Sequence, residues 1–172
     1  TTHRVPLMGG WEGERVAGRL ALASQMGDLP GAILFACTNN TIRSPMAEAI
    51  AKHLYGHVVY VDSAGVRLGE RDPFVLAVME EIGLDLSRHW PKTLDDLEDS
   101  SYDVVITLSP EAQHNALEMT RTMACEVEFW PIFDATIVQG NREVVLDAYR
   151  GVRDTLSQRI RDRFGLVPAP RV

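Results

Sequence analysis

Apolar residues along this chain fall into two kinds of pattern, and the two alternate. Four short segments, at residues 32–36, 58–61, 104–108 and 126–130, have the length and composition of strands. Between them lie stretches in which apolar residues recur every three or four positions, the period of a helix with one buried face. The first of these opens at Ser44 and Pro45 and aligns Met46, Ala49, Ile50, His53 and Leu54. Ser44 suits its N-cap and Pro45 its first turn. The second starts at Asp72 or Pro73, aligns Val75, Val78, Met79 and Ile82, and stops at Gly83. A third covers residues 110–117. The last covers 141–164, with Val145, Tyr149, Val152, Leu156, Ile160 and Phe164 facing inward. Residues 94–97 suit a single helical turn.

This alternation predicts an α/β fold, a four-stranded parallel sheet with helices on both faces. In such sheets ligands bind at the carboxyl ends of the strands. Residues 32–172 form the domain, and residues 1–31 are an N-terminal extension. Within the extension, residues 1–10 are expected as a loose arm and 11–26 as a helix with Val16, Leu20 and Ala23 on one face. Packing on the domain, a homo-oligomer contact and a lid are its possible roles. Residues 20–24 have the look of a signal-peptide cleavage site, but Glu12, Glu14 and Arg19 interrupt the apolar region that would precede it.

Composition narrows the function. At 172 residues, 45% hydrophobic and 24% charged, the chain has the make-up of one soluble domain. A net charge of −7 argues against nucleic acid or an anionic membrane as the general partner. No apolar run approaches the length of a membrane span. The two cysteines, Cys37 and Cys125, lie far apart, and a reducing cytoplasm is the simplest compartment. His53 and His57 are four apart, but Gly56 between them ends the helix, so neither a metal site nor a cofactor is expected.

The segment from Cys37 to Ser44 changes the picture most. A cysteine ends a buried strand, six residues follow, and a helix then begins. Backbone N–H groups of a tight loop and the positive end of a helix make a cradle for a tetrahedral dianion. Such a field favours a thiolate, the form that attacks phosphorus. Arg43, at the end of the Cys-x5-Arg spacing, would clamp two equatorial oxygens with its planar fork. Thr38, Asn39, Asn40, Thr41, Ile42, Arg43 and Ser44 are therefore the candidate phosphate-binding residues.

With those residues in place, the segment resembles the phosphate-binding loop of the low-molecular-weight protein tyrosine phosphatases and the related thiol-linked arsenate reductases. The matches are Cys37, Asn40, Arg43, Ser44, Pro45, Met46, Ala47 and Glu48. The resemblance extends from residue 32 to 164 and leaves the extension uncovered. It implies a general acid on the loop before the last helix, where Asp134 stands, although the usual following proline is Ala135 here. It also implies a polar network around the loop, made by Asn40, Ser44, Ser63 and His89. A basic residue at Lys92 leans towards the phosphatases and away from a potassium site.

Two segments depart from the tyrosine phosphatases and, like residues 149–154, resemble the arsenate reductases more. Asp134 is followed by Ala135, Thr136 and Ile137, and residues 66–69 contain no aromatic side chain, so the walls that grip a phosphotyrosine ring are missing. Internal reductases of this fold relay oxidation through two further cysteines, the first just after the third strand, and residues 108–117 contain none. The expected activity is that of a metal-free, protein-tyrosine-phosphatase-like phosphomonoesterase acting through a cysteinyl-phosphate, with a phosphorylated protein or a small phosphomonoester as substrate. The alternatives are an arsenate reductase using an external thiol and a catalytically weak anion-binding regulatory domain.

Overall fold

The computed structural model describes residues 29–97 and 101–166; the helix expected at 11–26 and the end of the C-terminal tail lie outside them. Four strands, β1 (Ala32–Cys37), β2 (Tyr60–Gly65), β3 (Val104–Thr107) and β4 (Glu126–Phe129), pair in the order β2-β1-β3-β4. All three pairings are parallel. Four helices connect and cover them: α1 (Arg43–Tyr55), α2 (Pro73–Glu80), α3 (Pro110–Met119) and α4 (Arg142–Phe164). This is the α/β architecture that the alternation of patterns requires.

β1 lies inside the sheet, and Ile33 to Cys37 are almost wholly buried, as an unbroken apolar run must be when helices cover both faces. On one face Ile33, Phe35 and Ile106 pack against Met46, Ile50 and Leu54 of α1, Val78 of α2 and Val152, Leu156 and Ile160 of α4. On the other, Leu34 and Val105 pack beneath Ala116 of α3, with Leu94 and Leu97 around the short turn Leu94–Asp96. The register places Ala36, Thr107 and Phe129 side by side, so three strands end at one level. The polypeptide following β1 turns there.

The structure corrects several local expectations. The second strand is Tyr60–Gly65, not 58–61, and so contains the polar pair Asp62 and Ser63. Ile82 lies beyond the end of α2 and is 44% exposed, because the helix stops at Glu80 and Gly83 takes a positive φ of 80°. In α4 the inward stripe includes Leu146, whereas Val145 is half-buried. Ser44 is not a cap. The N-cap of α1 is Ile42, which makes no side-chain capping bond, and Ser44 is buried within the first turn.

Candidate active site

Cys37 is the last residue of β1, and its side chain is buried beneath the loop that leads into α1. The loop turns on Asn40, whose φ of 54° lies in the left-handed region that asparagine tolerates better than most residues. That turn brings the Asn40 amide to 3.3 Å from Cys37 Sγ. The Ser44 hydroxyl stands 2.9 Å from the same sulfur. The amides of residues 41–44 give no hydrogen bond to any acceptor among the described residues. Four such donors at a helix N-terminus, around a cysteine, are the groups from which an anion site can be built.

Asn40 fixes this loop from all sides. Its Nδ2 donates to Ser44 Oγ and to Ser63 Oγ, both at 2.9 Å. Its Oδ1 accepts from the Lys92 amide at 3.0 Å, and its carbonyl accepts from His89 Nε2 at 3.1 Å. The four residues expected to form a polar network therefore do meet, with Ser63 on β2 rather than after it. Burial pushes the His89 imidazole below its usual range, although the Asn40 carbonyl and Glu48 pull the other way. A neutral ring with its proton on Nε2 satisfies the carbonyl.

Glu48 was not anticipated as part of this network. Its Oε1 accepts from Ser63 Oγ at 2.5 Å and its Oε2 takes Lys52 at 2.6 Å, while His89 Nδ1 is 4.0 Å away. The available signal was spacing. Glu48 is one helical turn beyond Ser44, on the same face. Lys92 extends the arrangement by pairing with Asp62 at 2.7 Å.

Arg43 starts α1 and donates through Nη1 to the Ile132 carbonyl at 3.1 Å, with the Leu108 carbonyl at 3.4 Å. Those bonds steady the guanidinium beside the loop. Asp134 begins the short turn Ala135–Ile137 and shares a cleft of about 210 Å³ with Cys37, Asn39, Thr41, Ile42, Arg43, Gly69, Glu70, Asp72 and Thr136. Burial raises the Asp134 carboxyl, but the Thr136 hydroxyl and amide, aided by Arg43, more than offset it and hold the group below its usual range. Cys37, Arg43 and Asp134, the three candidate catalytic residues, thus line one cavity. Glu70, Asp72 and Thr136 complete its walls, and no sequence pattern marked them as such, because the loop before α2 and the turn after Asp134 meet only in space.

No aromatic side chain lines the cleft among the described residues. Phe133, next to Asp134, is 54% exposed and faces elsewhere. Cys125 lies at the opposite end of the sheet. The register aligns Glu126 with Val104 and Ile33, so Cys125 sits level with Ala32. Five residues of strand, about 16 Å at the usual rise, and two strand spacings across the sheet then separate it from Cys37. Burial raises its thiol above the ordinary range.

Comparison with known proteins agrees with this geometry. The family model described as low molecular weight phosphotyrosine protein phosphatase matches residues 32–164. An arsenate reductase of Bacillus subtilis is 32% identical over 130 residues, covering 76% of this chain and 92% of its own. Among solved structures, an arsenate reductase in its oxidised state superposes with a TM-score of 0.65 at 27% identity, covering 77% of this chain and 95% of that one. A cysteine-to-serine mutant of the arginine phosphatase YwlE, with that active-site serine phosphorylated, superposes with a TM-score of 0.63 at 25% identity, over 77% of this chain and 92% of that one.

Proposed function

This chain belongs to the low molecular weight phosphotyrosine protein phosphatase family, and we propose that it is a cysteine-dependent phosphatase acting through a cysteinyl-phosphate. The observation that carries the reading is the set of uncommitted amides at residues 41–44, closed around Cys37 with Arg43 beside it and Asp134 across the cleft. In the first step Cys37 Sγ forms a bond to phosphorus while the bond to the leaving group breaks. The loop amides and Arg43 hold the charge that builds on the equatorial oxygens. Asp134 gives its proton to the leaving atom. Water then attacks phosphorus, returns a proton to Asp134 and releases Cys37 with inorganic phosphate.

The walls favour a leaving group other than a bare aromatic ring. Glu70, Asp72 and Asp134 place three carboxylates around a site that must also accept a dianion. A substrate that brings positive charge next to its phosphate relieves that conflict, and a phosphorylated guanidinium does so. The similar YwlE structure is named as an arginine phosphatase, which supports phosphoarginine as the first substrate to try.

Arsenate reduction is the rival, supported by relatives such as the Bacillus subtilis enzyme. Arsenate has the shape of phosphate and would enter the same cradle. Reduction would then need an external thiol, because Cys125 is more than about 16 Å away and a disulfide needs its Cα atoms within about 7 Å. The deciding assay offers the purified protein an aryl phosphate, phosphoarginine, and arsenate with a thiol donor. Turnover of a phosphate that vanishes in Cys37→Ser supports the phosphatase. Thiol-dependent arsenite production without phosphate release would replace it.

A further inference from the structure

We propose that Thr136 is the positioning residue of the proton transfer, holding Asp134 by one carboxyl oxygen so that the other delivers the proton. The inference rests on the phosphatase reading above and adds a role for a residue that reading leaves unused.

The geometry is specific about which oxygen does what. The Thr136 amide donates to Asp134 Oδ1 at 3.0 Å, and the Thr136 hydroxyl donates to the same atom at 2.6 Å. Asp134 Oδ2 takes no hydrogen bond among the described residues. An oxygen that accepts two hydrogens is the carbonyl oxygen of a carboxylic acid, not its hydroxyl. The Thr136 amide can only donate, so Oδ1 remains an acceptor and Oδ2, which has no donor, is the oxygen placed to carry the proton.

The rest of the turn supports this clamp. Ala135 is wholly buried and anchors the turn to the core, and its carbonyl accepts from the Val138 amide at 3.2 Å. No proline follows Asp134 to fix the backbone, so the two Thr136 donors set the carboxyl plane. A β-branched side chain adds stiffness, because its χ1 is restricted. Thr136 also lines the cleft itself.

The proton balance is then complete. As the sulfur–phosphorus bond forms and the bond to the leaving group breaks, the Oδ2 proton moves to the leaving atom. The carboxylate left behind is stabilised by the Thr136 donors and by Arg43. In the second half, water loses a proton to Oδ2 while its oxygen attacks phosphorus and the phosphorus–sulfur bond breaks. Other groups also face this carboxyl. Arg43 and Cys37 lie at the loop, Tyr149 on α4, and Glu70 and Asp72 across the cleft. None of these donates a hydrogen bond to Asp134.

The test compares Thr136→Val, which keeps the shape and loses the hydroxyl, with Thr136→Ser, which keeps the hydroxyl. Two readouts are taken: the titration of the Asp134 carboxyl by carbon-13 NMR, and the pH profile of kcat for an alkyl phosphate. In Thr136→Val the carboxyl should titrate about one pH unit higher, since a donor to its charged form is gone. The limb of the profile that requires protonated Asp134 should move up with it. At the optimum, kcat should fall roughly tenfold for the alkyl phosphate and less than about twofold for an activated aryl phosphate, with KM unchanged. Thr136→Ser should restore both readouts. A carboxyl titration that does not move in Thr136→Val, or a Thr136→Ser variant as impaired as Thr136→Val, overturns the proposal. A wild-type protein without phosphatase turnover would instead defeat the underlying reading, and the NMR titration would still decide whether Thr136 governs Asp134.

Discussion

Tyr149 donates its hydroxyl to Asp72 Oδ2 at 2.7 Å, which bonds the middle of the last helix to the rim of the cleft. The other oxygen of Asp72 caps α2 through the Phe74 amide at 2.8 Å. Burial and the Asp72 charge push the Tyr149 phenol above its ordinary value. Tyr149→Phe should cost on the order of 1–2 kcal/mol in urea unfolding, as expected for a bond to a charged acceptor. The pH dependence follows from the sign. A raised folded-state value means that the stabilisation is complete below about pH 10 and fades as pH rises further. Tyr149→Phe should lack that alkaline decline. Parallel decline of the two proteins above pH 10 would sink the assignment.

Asn40 separates two effects that usually come together. Its left-handed backbone suits glycine as well, whereas its side chain makes three bonds that glycine cannot. Asn40→Ala should therefore lose roughly 3 kcal/mol or more, combining backbone strain with unsatisfied buried partners. Asn40→Gly should regain the strain component, about 1 kcal/mol, yet bind inorganic phosphate as poorly as Asn40→Ala. Calorimetric titration with phosphate and thermal unfolding check the two halves separately. Full recovery of phosphate affinity in Asn40→Gly would show that the tethers are dispensable.

His89 supplies an acid-side prediction. Burial holds its folded-state value below that of the unfolded chain. The stabilisation is thus fully present above about pH 6.5 and is lost as pH falls below it. His89→Gln keeps a donor for the Asn40 carbonyl and cannot be protonated. Its stability should be flatter between about pH 6.5 and 5 than that of the wild type. An identical slope in both proteins would remove His89 from the account.

These networks also explain what could be read from the sequence. The β1 run and the loop after it were legible because they are local: five apolar residues, a cysteine, a helix start. The second strand was displaced because Asp62 and Ser63 interrupt its apolar character. In the structure Ser63 is wholly buried and satisfied by Asn40 and Glu48, a tertiary compensation that periodicity cannot register. Ser44 before Pro45 imitates a cap, but its hydroxyl serves the sulfur instead. Asp134 is marked by resemblance and not by pattern, Asp72 is legible only as a helix start, and Thr136 joins them only in space.

Asp134 itself should behave as a general acid despite the absence of a proline after it. Asp134→Asn should slow a poor leaving group by roughly 10² to 10⁴ and an activated aryl phosphate far less. Equal losses for both substrates would place the proton donor elsewhere.

Cys125 bears on the choice between phosphatase and reductase. It sits at the far end of the sheet from Cys37, half-buried among the residues beneath α3, with a thiol that burial makes harder to ionise. Residues 108–117, near the cleft, contain no cysteine. An oxidised Cys37 thus has no partner within reach among the described residues, and bridging to Cys125 would have to close a gap of more than about 16 Å. Cys125→Ser should therefore leave phosphate turnover within about twofold of wild type, since a thiol so placed acts as a small packing group. Thioredoxin alone should not support arsenate reduction, whereas a small thiol that can enter the cleft is the one reductant the geometry admits. Efficient thioredoxin-coupled arsenite production that disappears in Cys125→Ser would mean that the sheet opens in solution, and reduction would become the better description of the protein.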